Sequence, residues 1–259
     1  MLNLKYIKYE LHEDGIGFIN LNNKPVNALN NDIINDLSII IDHIENENKC
    51  RLVIFRSLQK HFSAGADLKE RQKMSSTQTT EFLDNLNSLF NKIENLTIPT
   101  IASINGAALG GGLELALCCD IRIASESSYV GLPETSLGII PGAGGIYRLA
   151  NLIGLPKSKY WVFTAQKFKT DSAYQDGVID FISKDNELLG VTLEVAQEIL
   201  ENAPLAIKAS KLLFNQVSKN FNDLTKLQKK AYSLVINSED KKEAIKTFLS
   251  KQKPLWKGK

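Results

Sequence analysis

The sequence predicts an α/β fold, a single core extended by a helical C-terminal region, on three observations. Through its first half, short β-rich runs alternate with amphipathic helical runs, the pattern of strands joined by crossover helices. From Asn186 onward, helical runs follow one another with few strand signals between them. No Ser/Pro/Gly-rich linker divides the two parts, so residues 1–185 read as the core and 186–259 as an extension packed on it or on another subunit. A chain of 259 residues is long enough to bury a substantial interior.

Element by element, KYIKYEL and GIGFINLN read as a hairpin turning around Glu13 to Gly15. A helix is expected from Asn31 to Asn46, because Ile34, Leu37, Ile41 and Ile44 recur at helical spacing after the capping-prone Asn30 and Asn31. RLVIFRS is a buried strand. Thr79 to Leu96 forms a second amphipathic helix carrying Phe82, Leu86, Leu89, Phe90 and Ile93 on one face. After Pro99, TIASI is the next strand, leading through a glycine-rich turn into a helix that begins near Gly110 to Gly112. The tail is read as helices over about 186–201, 205–219, 222–236 and 239–250.

Composition excludes several function classes. The 31 Lys and Arg against 29 Asp and Glu leave a net charge of +2, far from the basic field of a dedicated nucleic-acid binder. No apolar run reaches the roughly 18 residues a membrane helix needs. The N-terminus alternates like a strand and lacks signal-peptide or presequence character, so a cytoplasmic address is expected. Cys50, Cys118 and Cys119 assemble neither a disulfide framework nor a CxxC pattern, and read as buried, reduced thiols. His12, His43 and His61 are scattered, so no metal is expected.

Two glutamates carry the chemistry. Glu114 lies in NGAALGGGLELALCCD and Glu134 in YVGLPETSLGIIPGAGG, both among apolar residues where an unpaired carboxylate costs several kcal/mol. Two such acids suggest proton transfer. The turn before Glu114 opens a helix, where bare N–H groups favour an oxygen that acquires charge, although an isolated GGG with a first-turn Glu is more often a plain tight turn. A second glycine turn, in KHFSAGADLKE, offers another N–H donor. It is no nucleophile elbow, because His61 stands where GxSxG requires glycine, which disfavours a serine hydrolase despite Ser63. PGAGGIYRLANLIG lacks the Lys-Ser/Thr of a phosphate loop and reads as a loop that caps the site and enters a helix.

FSAGADLKE, INGAALGGGLELALCCDIRIA and GLPETSLGIIPGAGG, in that order and spacing, resemble the enoyl-CoA hydratase (crotonase) family. The match spans nearly the whole chain, from NKPVNAL, which resembles an early CoA-binding turn, to the basic FLSKQKPLWKGK. GADLKERQKMSS and LGGGLELALCCDIRIA look closest to the 3-methylglutaconyl-CoA hydratase branch, some members of which also bind AU-rich RNA. The resemblance implies a spiral of repeated ββα units, with C-terminal helices that build a homotrimer or homohexamer. It also implies an oxyanion hole from the N–H groups of Ala66 and Gly111, with Glu114 and Glu134 as the catalytic pair. Ala64, Asp67, Leu68, Gly110, Pro133 and Gly142 flank these motifs as substrate-contacting positions. Both acids of a hydratase are present, which argues against isomerases and thioester hydrolases that keep one.

The implied reaction is reversible addition of water across C2=C3 of a short or branched 2-enoyl-CoA, 3-methylglutaconyl-CoA among them, with coenzyme A as part of the substrate and no separate cofactor. Either acid can handle the water's protons, and burial with mutual repulsion should raise one pKa. Lys24, Lys69 and the C-terminal Lys251, Lys253 and Lys257 are candidates for the CoA phosphates, the last three reaching in from a neighbour, although surface lysines more often only solvate. Where hydratases commonly read GGTQRL, this chain has GGIYRL, so Tyr147 either lines the acyl pocket or points into a helix interface. Competing readings are an isomerase or other CoA lyase on the same fold, and an RNA-binding platform. The latter is disfavoured because the helix from Asn31 is acidic rather than basic.

Overall fold

A computed structural model describes residues 2–46, 49–217, 238–250 and 252–259. The chain opens with β1 (Leu2–Asn3), β2 (Ile7–Leu11), β3 (Ile16–Leu21), α1 (Asn31–Asn46) and β4 (Leu52–Ser57). Then come α2 (Leu68–Arg71), α3 (Ser76–Glu94), β5 (Thr100–Ile104), β6 (Ala107–Leu109), α4 (Gly111–Leu117), β7 (Ile121–Ser125) and β8 (Tyr129–Gly131). A 3-10 turn at Pro133–Leu137 precedes α5 (Gly145–Ile153), α6 (Leu155–Thr164), β9 (Phe168–Lys169), α7 (Thr170–Gln175) and β10 (Phe181–Ser183). The tail contributes α8 (Leu188–Leu200), α9 (Pro204–Val217) and a last helix at Glu239–Ser250. The helix expected at 222–236 lies outside the described residues.

Seven strands form one sheet in the order β1-β2-β3-β4-β5-β7-β10, and β6-β8-β9 form a second, smaller one. The expected hairpin is there: β2 and β3 pair antiparallel, with Tyr9 opposite Ile19. From β3 onward the large sheet is parallel. Strands β5 and β7 lie in the large sheet, while β6 and β8, which directly follow them, lie in the small one. Bridges between Leu29 and Ala66 and between Ser63 and Ala108 continue the small sheet into the earlier part of the chain. Each circuit thus puts one strand in each layer before a helix returns, which is the spiral of ββα units.

Period-two alternation divides the large sheet into two buried faces. On one, Ile19, Leu21, Val53, Phe55, Ala102 and Ile104 pack with Ile33, Leu37 and Ile40 of α1 and Phe82, Leu86 and Phe90 of α3. On the other, Ile16, Phe18, Leu52, Ile54, Ile101 and Ile123 meet Val195, Ala196 and Leu200 of α8. A buried hydrogen bond of 2.9 Å between Ser103 Oγ and Thr192 Oγ1 fixes α8 on that face. Helix α1 spans the expected residues, whereas α3 starts three residues earlier than its apolar spacing suggests. Ser75 caps it: its side chain accepts from Gln78 N, and Gln78 Oε1 accepts from Ser75 N, a reciprocal pair that sets the first turn.

Among the described residues, no helix is long and apolar enough to cross a membrane. The three cysteines are buried thiols, not joined in a disulfide. Arg51, Pro99, Leu200, Trp256 and Lys257 help to line a cavity of about 710 Å³. Since Arg51 precedes β4 and Pro99 precedes β5, this cavity lies at the N-terminal ends of those strands.

Candidate active site

Two turns following the C-terminal ends of β4 and β5 are laced together by backbone hydrogen bonds. Ser63 N donates to Ala107 O at 3.0 Å and Leu109 N donates to Ser63 O at 3.0 Å. On the other side, Leu29 N donates to Gly65 O at 2.8 Å and Asp67 N to Leu29 O at 2.9 Å. The approach is close enough to exclude side chains at two points. Gly65 has φ +90, and a Cβ there would stand 2.6 Å from Leu109 O. A Cβ on Gly112 would collide with Ser63 O.

This lacing brings the two expected donors side by side. A Cβ on Gly111 would stand 3.6 Å from Ala66 N, and one on Gly65 would stand 3.2 Å from Gly111 N. Neither N–H donates to another described residue, so both are available to an incoming oxygen. For Gly111 the reason is its place at the start of α4, where no preceding turn supplies an acceptor.

Glu114, in the first turn of α4, is buried at 3% exposure. Its carboxylate does not serve its own helix. Oε1 accepts from Ala143 N and Gly145 N, each at 2.8 Å, so the PGAGG loop caps the acid before entering α5. Burial raises the Glu114 pKa, while the Gly145 and Ala143 N–H groups and the Arg148 charge oppose the rise.

Glu134 occupies a different environment. Pro133 begins the 3-10 turn that carries it, and Thr135 Oγ1 donates to Val162 O at 2.6 Å, tying the turn to α6. Its Oε1 faces Gly110, where a Cβ would stand 2.9 Å away, and its buried Oε2 has no hydrogen-bond partner. Burial first, and then the negative charge of Glu114, push its pKa up to about 7. Burial thus raises the pKa of both acids, but two N–H donors and a cation oppose the rise at Glu114, whereas at Glu134 only its own backbone N–H does.

The structure thus gathers Ala66, Gly110, Gly111, Glu114 and Glu134 at one place. Around them, Ala64 is exposed and Asp67 caps α2, accepting from Lys69 N and Glu70 N. Leu68 and Lys69 are exposed on that helix. Lys24 is exposed, Pro133 is half-buried, and Gly142 is half-buried with its carbonyl accepting from Asn87 Nδ2 at 2.7 Å. Tyr147 is half-exposed, its hydroxyl 3.4 Å from Asn91 Oδ1 and its ring against Gly144. Lys253 is exposed, and Lys251 lies outside the described residues. Lys257 pairs with Glu239 at 3.1 Å beside the cavity, at the opposite ends of β4 and β5 from the glutamates of its own chain.

Two buried polar residues went unnoticed in the sequence. Asn27 (φ 51) donates through Nδ2 to Ser57 Oγ, His61 O and Phe62 O, so it holds the strand exit that leads to Gly65. Ser63 Oγ in turn donates to Asn27 O at 2.7 Å. Arg148, 5% exposed, donates to Ala143 O in the loop that caps Glu114. No local pattern marked it, because its side-chain partners on α3 are far away in the sequence.

Comparison with known proteins agrees with this geometry. The family model described as enoyl-CoA hydratase/isomerase matches residues 12–259. The chain is 41% identical over 250 residues to a probable mitochondrial enoyl-CoA hydratase 2 of Arabidopsis thaliana, covering 95% of this chain and 83% of that protein. It is 39% identical over 238 residues to the mitochondrial methylglutaconyl-CoA hydratase of Mus musculus, covering 90% of this chain and 76% of that protein. The crystal structure of an enoyl-CoA hydratase from Bacillus anthracis superimposes with a TM-score of 0.95 at 35% identity, covering 98% of this chain and all of the other. With this fold, these ordered motifs and these relatives, the chain belongs to the enoyl-CoA hydratase/isomerase family.

Proposed function

We propose that this enzyme hydrates a short or branched 2-enoyl-CoA to the 3-hydroxyacyl-CoA. The observation that carries the reading is the unlike pair of buried acids beside two free N–H donors: Glu114 held by two N–H groups, Glu134 with one buried oxygen unpartnered and a pKa of about 7. In the forward reaction the thioester carbonyl accepts from Ala66 N–H and Gly111 N–H, which draws electron density from C3. Glu114 takes a proton from water as its oxygen bonds to C3. The C2=C3 π electrons shift into the enolate, and Glu134 delivers a proton to C2 as the carbonyl re-forms. Coenzyme A enters as part of the substrate. Its phosphates would meet Lys24 and Lys69, which are exposed on segments flanking the Ala66 turn.

The identities to the plant hydratase and to the methylglutaconyl-CoA hydratase are nearly equal, so the acyl group is assigned only as short or branched. The same reading has the chain act as a homotrimer or homohexamer. The test is loss of the conjugated enoyl-thioester absorbance with a panel of short and branched acyl chains. Glu114→Gln and Glu134→Gln should each reduce kcat by roughly 10²–10⁴-fold, the usual size of general acid or base catalysis. Full rates in both variants would sink the mechanism. A product with a shifted double bond and no 3-hydroxyl would identify an isomerase instead.

A further inference from the structure

The loop that caps Glu114 is held from behind by a buried cation. Arg148 Nη1 donates to Ala143 O at 2.8 Å, while Ala143 N and Gly145 N, in the same three residues, donate to Glu114 Oε1. Nη2 of the guanidinium donates to Asn91 Oδ1 and Glu94 Oε2, both on α3 and both at 3.0 Å. Gly144, between the two donors, has φ +91 and lies directly against Nη1, leaving no space for a side chain. The Tyr147 ring covers the cation, with its centroid 4.8 Å away. The loop therefore has one face on the acid and the other on the arginine, and α3 fixes the arginine.

We infer that Arg148 is a positioning residue for Glu114: it locks the Ala143–Gly145 loop so that two N–H groups converge on one carboxylate oxygen, and it sets a positive charge behind that loop. This rests on the reading of Glu114 as the base. Among the described residues, the groups that bear on Glu114 are Arg148 and Tyr147 from α5, Glu134 from the 3-10 turn and Cys118 at the end of α4, with Glu94 of α3 behind the arginine. Arg148 is the cation among them. A planar guanidinium can reach Ala143, Asn91 and Glu94 together, which a lysine ammonium on a flexible stem cannot.

The test follows the carboxyl ¹³C shift of Glu114 against pH in the full-length protein, assigned by its loss in Glu114→Gln, together with the pH profile of kcat/KM. Arg148→Met should raise the Glu114 pKa and the acidic limb of the profile by about half a unit or more, and reduce kcat about tenfold or more with little change in KM. Arg148→Lys, which retains the charge but not the fork, should return the limb toward wild type while kcat stays low. Glu94→Gln leaves the arginine without its counter-charge, so the limb should move the other way, to lower pH. A Glu114 titration unmoved in folded Arg148→Met, or in Glu94→Gln should the first variant not fold, overturns the inference and leaves the hydratase reading standing. Conversely, if the titration shifts but Glu114→Gln still hydrates substrate, the coupling holds and the assignment of Glu114 as base falls.

Discussion

At the scale of single residues, the two acids meet the same kind of burial cost with different compensation. Glu114 gains two N–H donors for its charge, whereas Glu134 is buried with an unpartnered oxygen, and its pKa rises from 4.5 to about 7. A group whose folded pKa is raised binds more protons in the native state than in the unfolded one. Stability is therefore full below pH 4.5 and falls as pH rises toward 7, by about 3 kcal/mol for a shift of this size. Glu134→Gln removes the titration but buries an amide that also lacks partners, which offsets part of the gain. Urea unfolding at pH 8 should show the variant about 1–2 kcal/mol more stable than wild type, and at pH 4 no more stable. A stability difference between the two proteins that is the same at pH 4 and pH 8 would show that Glu134 bears no burial cost. Both acids were legible in the sequence because carboxylates amid Leu, Ala and Gly are out of place. Arg148 was not, since its α3 partners lie 54 and 57 residues away, and no local pattern marks an arginine as buried.

At the scale of elements, the site is made by turns, and one asparagine holds the first of them. Asn27 Oδ1 accepts from Asn23 N at 2.7 Å, and its Nδ2 is shared among Ser57 Oγ, His61 O and Phe62 O, the bonds to Asn23 and Phe62 being buried and the other two partly so. Asn27→Ala takes that partner from Asn23 N and Phe62 O, while Ser57 Oγ and His61 O keep each other, and it also burdens a left-handed φ, so a loss of about 2–4 kcal/mol is expected. Because Ser63 Oγ donates to Asn27 O and also accepts from Gly65 N, the disturbance should reach the Ala66 donor. A variant still folded at 15 °C should then have lower kcat/KM than its stability alone explains. Unchanged kcat/KM in the folded fraction would uncouple Asn27 from the oxyanion turn. Long periodic elements such as α1 were readable to their ends, and the helix at Glu239–Ser250 likewise. The small sheet was not, because β6, β8 and β9 are two or three residues long and their pairing comes from the spiral rather than from any alternation of their own.

At the scale of the molecule, the surface beside Glu134 is the feature a single chain leaves unexplained. The residues following its 3-10 turn expose Ile140 at 66%, and α6, tied to that turn through Thr135 and Val162, exposes Phe163 at 74%. Leu137, Ile139, Leu155 and Tyr160 are exposed on the same segments. Scattered apolar residues on a surface need no explanation, but a group this dense on two packed segments favours a partner. On the proposed reading that partner is a second copy of the chain, and the contact lies next to the loop that carries the proton donor. Light scattering on the purified protein should then give a mass of three or six chains. Ile140→Asp combined with Phe163→Asp should reduce the mass and kcat together, because the Glu134 turn loses its outer support. The Glu114 side of the site, held inside one chain by α3 and α5, should keep its pH limb in whatever activity remains. A fully active single chain at assay concentrations would refute the assembly while leaving the chemistry of the two acids intact.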